Sequence, residues 1–103
     1  MFKLISKTLA AVAMVSVALF GSANAKTLKI ETHFTASSPN GEVAAQFAKN
    51  VEKFSGGSLK IEMFYSSSVT GKSAEVFNSA QTGIIDCDMT GAGYQTGKNA
   101  AFQ

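Results

Sequence analysis

Two different spacings of apolar residues alternate along this chain. In residues 26–34 and 58–65 every second residue is apolar, which is typical of a strand with one buried face. In residues 41–54 apolar residues recur every three or four positions, which is typical of one face of a helix. A shorter helix is predicted at residues 73–82 and a third strand at residues 84–89. The order β-α-β-α-β predicts an α/β fold in which right-handed crossovers join parallel strands.

Individual residues predict where the helices begin and end. Ser38 can cap the first helix, and Pro39 suits a first turn, where its missing N–H costs nothing. Gly56 follows the last apolar residue of that helix and is expected to end it, because glycine readily adopts the left-handed conformation. Gly83 is the expected end of the second helix.

The amino-terminal segment has the layout of an export signal. Two lysines stand near its start, residues 8–20 form an apolar stretch without charge, and an Ala-Asn-Ala sequence ends at Ala25. This layout predicts a secretory signal peptide over residues 1–25, cleaved after Ala25, and a periplasmic location for residues 26–103. An uncleaved membrane anchor is the alternative, but the apolar stretch is shorter than the roughly 20 residues that span a bilayer.

The net charge of +2 belongs to this export segment. Two of the nine lysines lie in it, the other seven balance seven acidic residues, and the chain contains no Arg. Residues 26–103 therefore have no electrostatic reason to bind nucleic acid or an anionic membrane. Cys87 is the single cysteine, which excludes an intramolecular disulfide framework and a zinc ribbon. No cofactor is expected.

Two glycine-containing stretches approach nucleotide-binding motifs. Residues 91–97 read GAGYQTG and fit G-x-G-x-x-x-G, but a dinucleotide site also needs a helix that opens at the glycines and a later acidic residue. Residues 92–99 read AGYQTGKN, with Ala92 and Asn99 where a phosphate-binding loop requires Gly and Ser or Thr. The first stretch gives little support for a nucleotide site, and the second is rejected.

Asp86 and Asp88 are two positions apart on the third predicted strand, so their side chains are expected to face the same way. Such a pair could hold a hard cation, but no third or fourth ligand is evident. We expect these residues to face solvent or to cap neighbouring loops, and we predict no metal site.

Ligands of parallel sheets bind beyond the carboxyl ends of the strands. His33 lies near the carboxyl end of the first predicted strand and Tyr94 follows the third, so ligand contact and an ordinary structural role remain open for both. Cys87 alternates with Ile85 and Met89 and is expected to be a small buried hydrophobe. The alternative is that Cys87 acts as a nucleophile with His33 as its base.

Four stretches of the sequence keep the order and spacing of one known family. They are LKIETHF, SSPNGEVAAQFAKNVEKFSGGSLKIEMFYSSSVTG, AEVFNSAQTGIIDCDMTGAGY and GKNAAFQ. Together they resemble the amino-terminal part of the solute-binding proteins of TRAP transporters, the tripartite ATP-independent periplasmic transporters. EVFNSAQTG and YQTGKNAAFQ are similar to the branch of this family that binds 2-oxo and hydroxy monocarboxylates.

The resemblance implies a two-lobed α/β binding protein that is not an enzyme. Such a protein closes on a small organic carboxylate and delivers it to the membrane permease subunits of the transporter. By position, the solute contacts of the first lobe would be His33, Thr90, Gly91 and Tyr94, and Gly91 could offer only its backbone.

Two lobes need about 300 residues, or two domains of ordinary size. The resemblance therefore implies that residues 26–103 form a partial first lobe, that the second lobe and its carboxylate-clamping Arg are missing, and that the chain is a truncated product or a partial sequence. Two alternatives remain: a small exported enzyme that uses His33 and Cys87, and a stand-alone exported interaction module.

Overall fold

The computed structural model describes residues 24–103, so the predicted signal peptide lies outside the described residues except for its last two positions. The elements are β1 (Lys26–Glu31), α1 (Pro39–Phe54), β2 (Leu59–Phe64), a 3-10 turn (Ser73–Glu75) that runs into α2 (Val76–Gln81), β3 (Cys87–Asp88), and two further 3-10 turns (Ala92–Gln95 and Ala100–Phe102). No helix in this part of the chain is long and apolar enough to cross a membrane.

The three strands form one parallel sheet in the order β2-β1-β3. β1 pairs with β2 along its whole length, from Lys26 opposite Leu59 to Glu31 opposite Phe64. On its other side β1 pairs with only the two residues of β3. Because β2 and β3 flank β1 on opposite sides, right-handed crossovers place α1 and α2 on opposite faces of the sheet. The predicted parallel α/β fold is confirmed.

The start and end of α1 follow the sequence prediction. The Ser38 hydroxyl accepts a hydrogen bond from the amide of Gly41 at 3.1 Å, and Pro39 occupies the first turn. Gly41 is buried, and a Cβ atom there would overlap the carbonyl oxygen of Thr35. The helix ends before Gly56, which has a φ of +63°. The cap and the close approach together set the angle at which the chain enters the helix.

The apolar face of α1 is only partly covered. The spacing of apolar residues predicts six inward positions: Val43, Ala44, Phe47, Ala48, Val51 and Phe54. Ala44 is buried, whereas Val43 is 68% and Phe54 is 80% exposed. α1 packs against β2, so the part of the face that points away from β2 has no partner in residues 24–103.

α2 differs from its prediction in both length and orientation. The first turn of the predicted helix is the 3-10 turn Ser73–Glu75, and only Val76–Gln81 is α-helical. The sequence predicts Val76, Phe77 and Ala80 as the inward residues of this helix. Val76 is fully buried as predicted, but Phe77 is 37% exposed, and Ser79 is buried at 8% exposure. Residues three apart share a helix face, so Ser79 faces the core together with Val76, and Phe77 faces outwards. Gly83 follows the helix with a φ of +81°, as predicted.

β3 is shorter than predicted, and the prediction that Cys87 is buried was wrong. Strand pairing is limited to Cys87–Asp88, although Ile85 just before it is buried. Cys87 lies opposite Ile30 in register but is exposed. α1 packs against β2, which lies on the other side of β1 from β3, so α1 is not placed over Cys87.

Candidate functional site

The carboxyl ends of the three strands meet at one edge of the sheet, and backbone hydrogen bonds continue beyond the strands there. The amide of Thr32 donates to the carbonyl of Phe64 at 2.9 Å, and the amide of Ser67 donates back to Thr32 at 3.0 Å. On the other side, the amide of Met89 donates to the carbonyl of Glu31 at 2.9 Å. The segments that follow β1, β2 and β3 are therefore held side by side.

Two of the predicted contact residues touch across this edge. The rings of His33 and Tyr94 lie edge to face, with centroids 5.1 Å apart and an interplanar angle of 70°. This is a favoured geometry for aromatic pairs. His33 is half-buried, and its Nδ1 has no hydrogen-bond partner within the described residues, while Tyr94 is 46% exposed. The pair thus combines a fixed ring with an accessible phenol.

The other two predicted residues lie beside this pair. Thr90 is half-buried, and Gly91 is exposed at the start of the 3-10 turn Ala92–Gln95. The amide of Tyr94 donates to the carbonyl of Gly91 at 3.1 Å, so one turn holds both residues. All four predicted residues therefore lie at one edge, and their contact with a solute stays a prediction.

His33 and Cys87 are not arranged as a nucleophile and its base. Cys87 lies in β3 opposite Ile30 of β1, and His33 follows Ile30 by three residues. The hydrogen bonds found within residues 24–103 include none between His33 and Cys87.

Asp86 and Asp88 have separate environments. Asp86 Oδ2 accepts a hydrogen bond from the amide of Lys29 at 2.8 Å, so it caps the edge of β1. Asp88 is half-buried, and its Oδ1 is buried and has no partner among the residues that the structure describes. In the described part of the chain, no group of three or more His, Cys, Asp or Glu side chains could hold a metal ion.

Glu31 is a site residue that the sequence prediction missed. Its side chain is fully buried, and Oε1 accepts hydrogen bonds from the amides of Val69 at 2.7 Å and Thr70 at 3.2 Å. Its Oε2 is buried and has no partner in residues 24–103. The only sequence signal is an acidic residue near the end of a predicted strand, two positions before His33.

The segment after β2 begins with two serines in the left-handed conformation, Ser66 with a φ of +58° and Ser67 with a φ of +51°. This region is unfavourable for residues with a side chain. Ser67 is buried, its Oγ lies 3.2 Å from Ser73 Oγ, and its carbonyl accepts from the amide of Gly71 at 2.7 Å. These contacts hold residues 66–71 in a compact loop, which we call the serine loop.

An apolar cavity of about 320 Å³ adjoins the edge on the α1 side of the sheet. It is lined by Phe34, Asn40, Val43, Ala44, Phe47 and Met89. The ring of Phe34 lies 3.9 Å from that of His33, centroid to centroid, so the cavity is separated from the predicted contact residues by one ring.

Comparisons with known proteins agree on one family. The family model DctP, described as bacterial extracellular solute-binding protein, family 7, matches residues 30–103. A structural match is the apo open crystal structure of a TRAP periplasmic solute-binding protein from Rhodobacter sphaeroides, with a TM-score of 0.70 and 26% sequence identity. The match covers 75% of this chain and 24% of that chain, so this chain spans about a quarter of its length. No curated protein matches.

Proposed function

The chain belongs to family 7 of the bacterial extracellular solute-binding proteins, and on that ground we propose that it is the periplasmic solute-binding subunit of a TRAP-type secondary transporter. It binds a small organic acid without converting it and delivers the acid to the membrane permease. The observation that carries the proposal is the family match over residues 30–103, which include every predicted contact residue. The likeness to a TRAP solute-binding protein from Rhodobacter sphaeroides supports the transporter class.

The proposed solute contacts are His33, Thr90, Gly91 and Tyr94. A buried polar atom without a partner is costly, so His33 Nδ1 is suited to a hydrogen bond with a bound solute. The Tyr94 hydroxyl and the Gly91 backbone offer further polar groups at the same edge. These are groups that bind carboxylate, keto and hydroxyl oxygens, which supports a 2-oxo or hydroxy monocarboxylate as the solute.

A carboxylate favours a bidentate ion pair with the guanidinium group of an Arg, and these 103 residues contain no Arg. We propose that residues 26–103 are part of a first lobe and that a second lobe supplies this cation. The coverage of about a quarter of the Rhodobacter sphaeroides structure supports this division. We also propose that residues 1–25 direct export and are removed after Ala25.

The function can be tested on the protein purified from the periplasm of its own host, whose mass also reports whether it begins at Lys26. Calorimetry with separate 2-oxo acids, hydroxy acids and dicarboxylates should show a Kd in the micromolar range or tighter for one class. Tyr94→Phe removes only the hydroxyl and should weaken binding about tenfold, since a hydrogen bond to a charged group is lost. A folded protein that gives no binding heat with any of these acids would contradict the proposal.

A further inference from the structure

We infer that Glu31 is a positioning residue for the solute site: its buried carboxylate holds the serine loop against the end of β1 and so fixes the edge at which His33 lies. The role in solute binding rests on the proposed function. The contact between Glu31 and the loop stands on the geometry alone.

The contact joins distant parts of the chain. Oε1 of Glu31, a fully buried residue, accepts from two successive amides, those of Val69 at 2.7 Å and Thr70 at 3.2 Å. Hydrogen bonds from backbone amides to a carboxylate are charge-assisted and roughly twice as strong as neutral ones. Val69 itself is 42% exposed, so its side chain is only partly packed. The two hydrogen bonds to Glu31 add to this partial packing in holding the tip of the loop.

The loop needs such an attachment because its start is conformationally unfavourable. Ser66 and Ser67 both have positive φ angles, and residues in such conformations persist only where surrounding contacts determine them. The amide of Ser67 is bonded to Thr32, and the tip of the loop is bonded to Glu31. The loop is thus tied to Glu31, the last residue of β1, and to Thr32, and these two residues immediately precede His33.

The second carboxylate oxygen of Glu31 indicates what a conservative substitution would do. Within residues 24–103, Oε2 is buried without a partner, and so is Oδ1 of Asp88, the residue directly opposite Glu31 in the β1–β3 register. Residues opposite each other on neighbouring strands face the same side of a sheet. In Glu31→Gln the amide oxygen can still accept hydrogen bonds from the Val69 and Thr70 amides. The new NH2 group is a hydrogen-bond donor on the same side of the sheet as Asp88 Oδ1, which has no donor within the described residues. The glutamine variant therefore keeps the attachment.

The test compares four variants of the full chain as purified from its host. Glu31→Ala removes the acceptor, and Glu31→Gln keeps it. Glu62→Ala is a matched control, because Glu62 lies on β2 and is exposed. Val76→Ala is a control for lost stability, because Val76 is buried in α2. Each variant is measured, below its unfolding transition, for solute Kd by calorimetry and for hydrogen exchange at the Val69 and Thr70 amides by NMR.

We expect Glu31→Ala to remove both hydrogen bonds from the loop and so to speed hydrogen exchange at the Val69 and Thr70 amides. Because the loop then no longer holds the edge at which His33 lies, the solute Kd should rise about tenfold. Glu31→Gln should stay within about threefold of the natural protein in Kd, and both controls should leave the Kd unchanged. If Glu31→Ala does not fold, Glu31→Asp keeps the charge but withdraws the oxygen by one methylene, and it should show the same changes.

Three results would overturn the inference. The first is unchanged exchange at Val69 and Thr70 when Glu31 is altered. The second is faster exchange with an unchanged Kd, and the third is a rise in Kd that Val76→Ala reproduces, which would show a structural role only. If the natural protein binds no organic acid, the proposed function fails, and the exchange rates still decide whether Glu31 anchors the loop.

Discussion

At the scale of single residues, several positions depend on contacts that are far apart in sequence. The period of β1 predicts that Glu31 and Ile30 face opposite sides, and they do. Both are nevertheless buried, because the serine loop folds over Glu31. Local periodicity cannot show that contact, since the amide donors follow Glu31 by 38 and 39 residues. Strand order places His33 and Tyr94 at the same edge, the family resemblance predicts them as solute contacts, and the structure brings their rings together.

Gly41 provides a test of a position where only a hydrogen atom fits. Gly41→Ala would drive a methyl group into the backbone carbonyl of Thr35, which has no rotamer through which to move away. We expect a loss of about 2 kcal/mol or more in the free energy of unfolding, measured by urea denaturation.

Gly97→Ala is the matched control, because a Cβ atom at Gly97 would meet no described residue other than its two chain neighbours within 4 Å. It should change the free energy of unfolding by less than about 0.5 kcal/mol. Equal unfolding midpoints for the two variants would contradict the close packing at the start of α1.

At the scale of elements, the sequence predicts order and helix ends better than lengths. Ser38 and Pro39 identified the start of α1 because their effect is local. The two-residue length of β3 could not be predicted, because it depends on how far the chain stays beside β1 before it turns. The orientation of α2 was also outside reach, since a six-residue helix has too few apolar positions to define a face.

α2 is too short to be stable by itself, so its packing must hold it in place. Val76→Ala removes two methyl groups from a fully buried position and should cost about 2 kcal/mol of unfolding free energy. Val43→Ala is the same change on α1 at a position that is 68% exposed, and it should cost less than about 0.5 kcal/mol. Urea unfolding of both variants checks the difference, and a larger loss at Val43 would show that the packing is assigned to the wrong helix face.

At the scale of the whole molecule, much apolar surface is left open within residues 24–103. Val43, Phe54 and Ile84 are 68%, 80% and 59% exposed. The cavity beside α1 is lined mostly by apolar side chains, and Cys87 faces solvent on the same side of the sheet as Ile30. Monomeric soluble proteins rarely expose large apolar patches without a partner. Open apolar surface of this kind is also what a partial lobe would leave, and the partial lobe stays a prediction of the family resemblance.

Residues 26–103, produced alone, should therefore behave as an incompletely packed domain. We expect them to bind the dye ANS strongly and to unfold in urea over a broad range, because exposed apolar surface binds the dye and a small core gives little cooperativity. A sharp urea transition without dye binding would instead favour the stand-alone interaction module.

The central place of β1 also bears on the order in which the chain can fold. β1 is synthesised before either of its neighbours, and it pairs with β2 over six residues but with β3 over two. The loop that must close to bring β3 beside β1 is longer than the one for β2, and longer loops cost more entropy to close. We expect β1, α1 and β2 to assemble first and β3 to dock afterwards. His33 follows β1 and Tyr94 follows β3, so the two rings would meet only in the last step of folding.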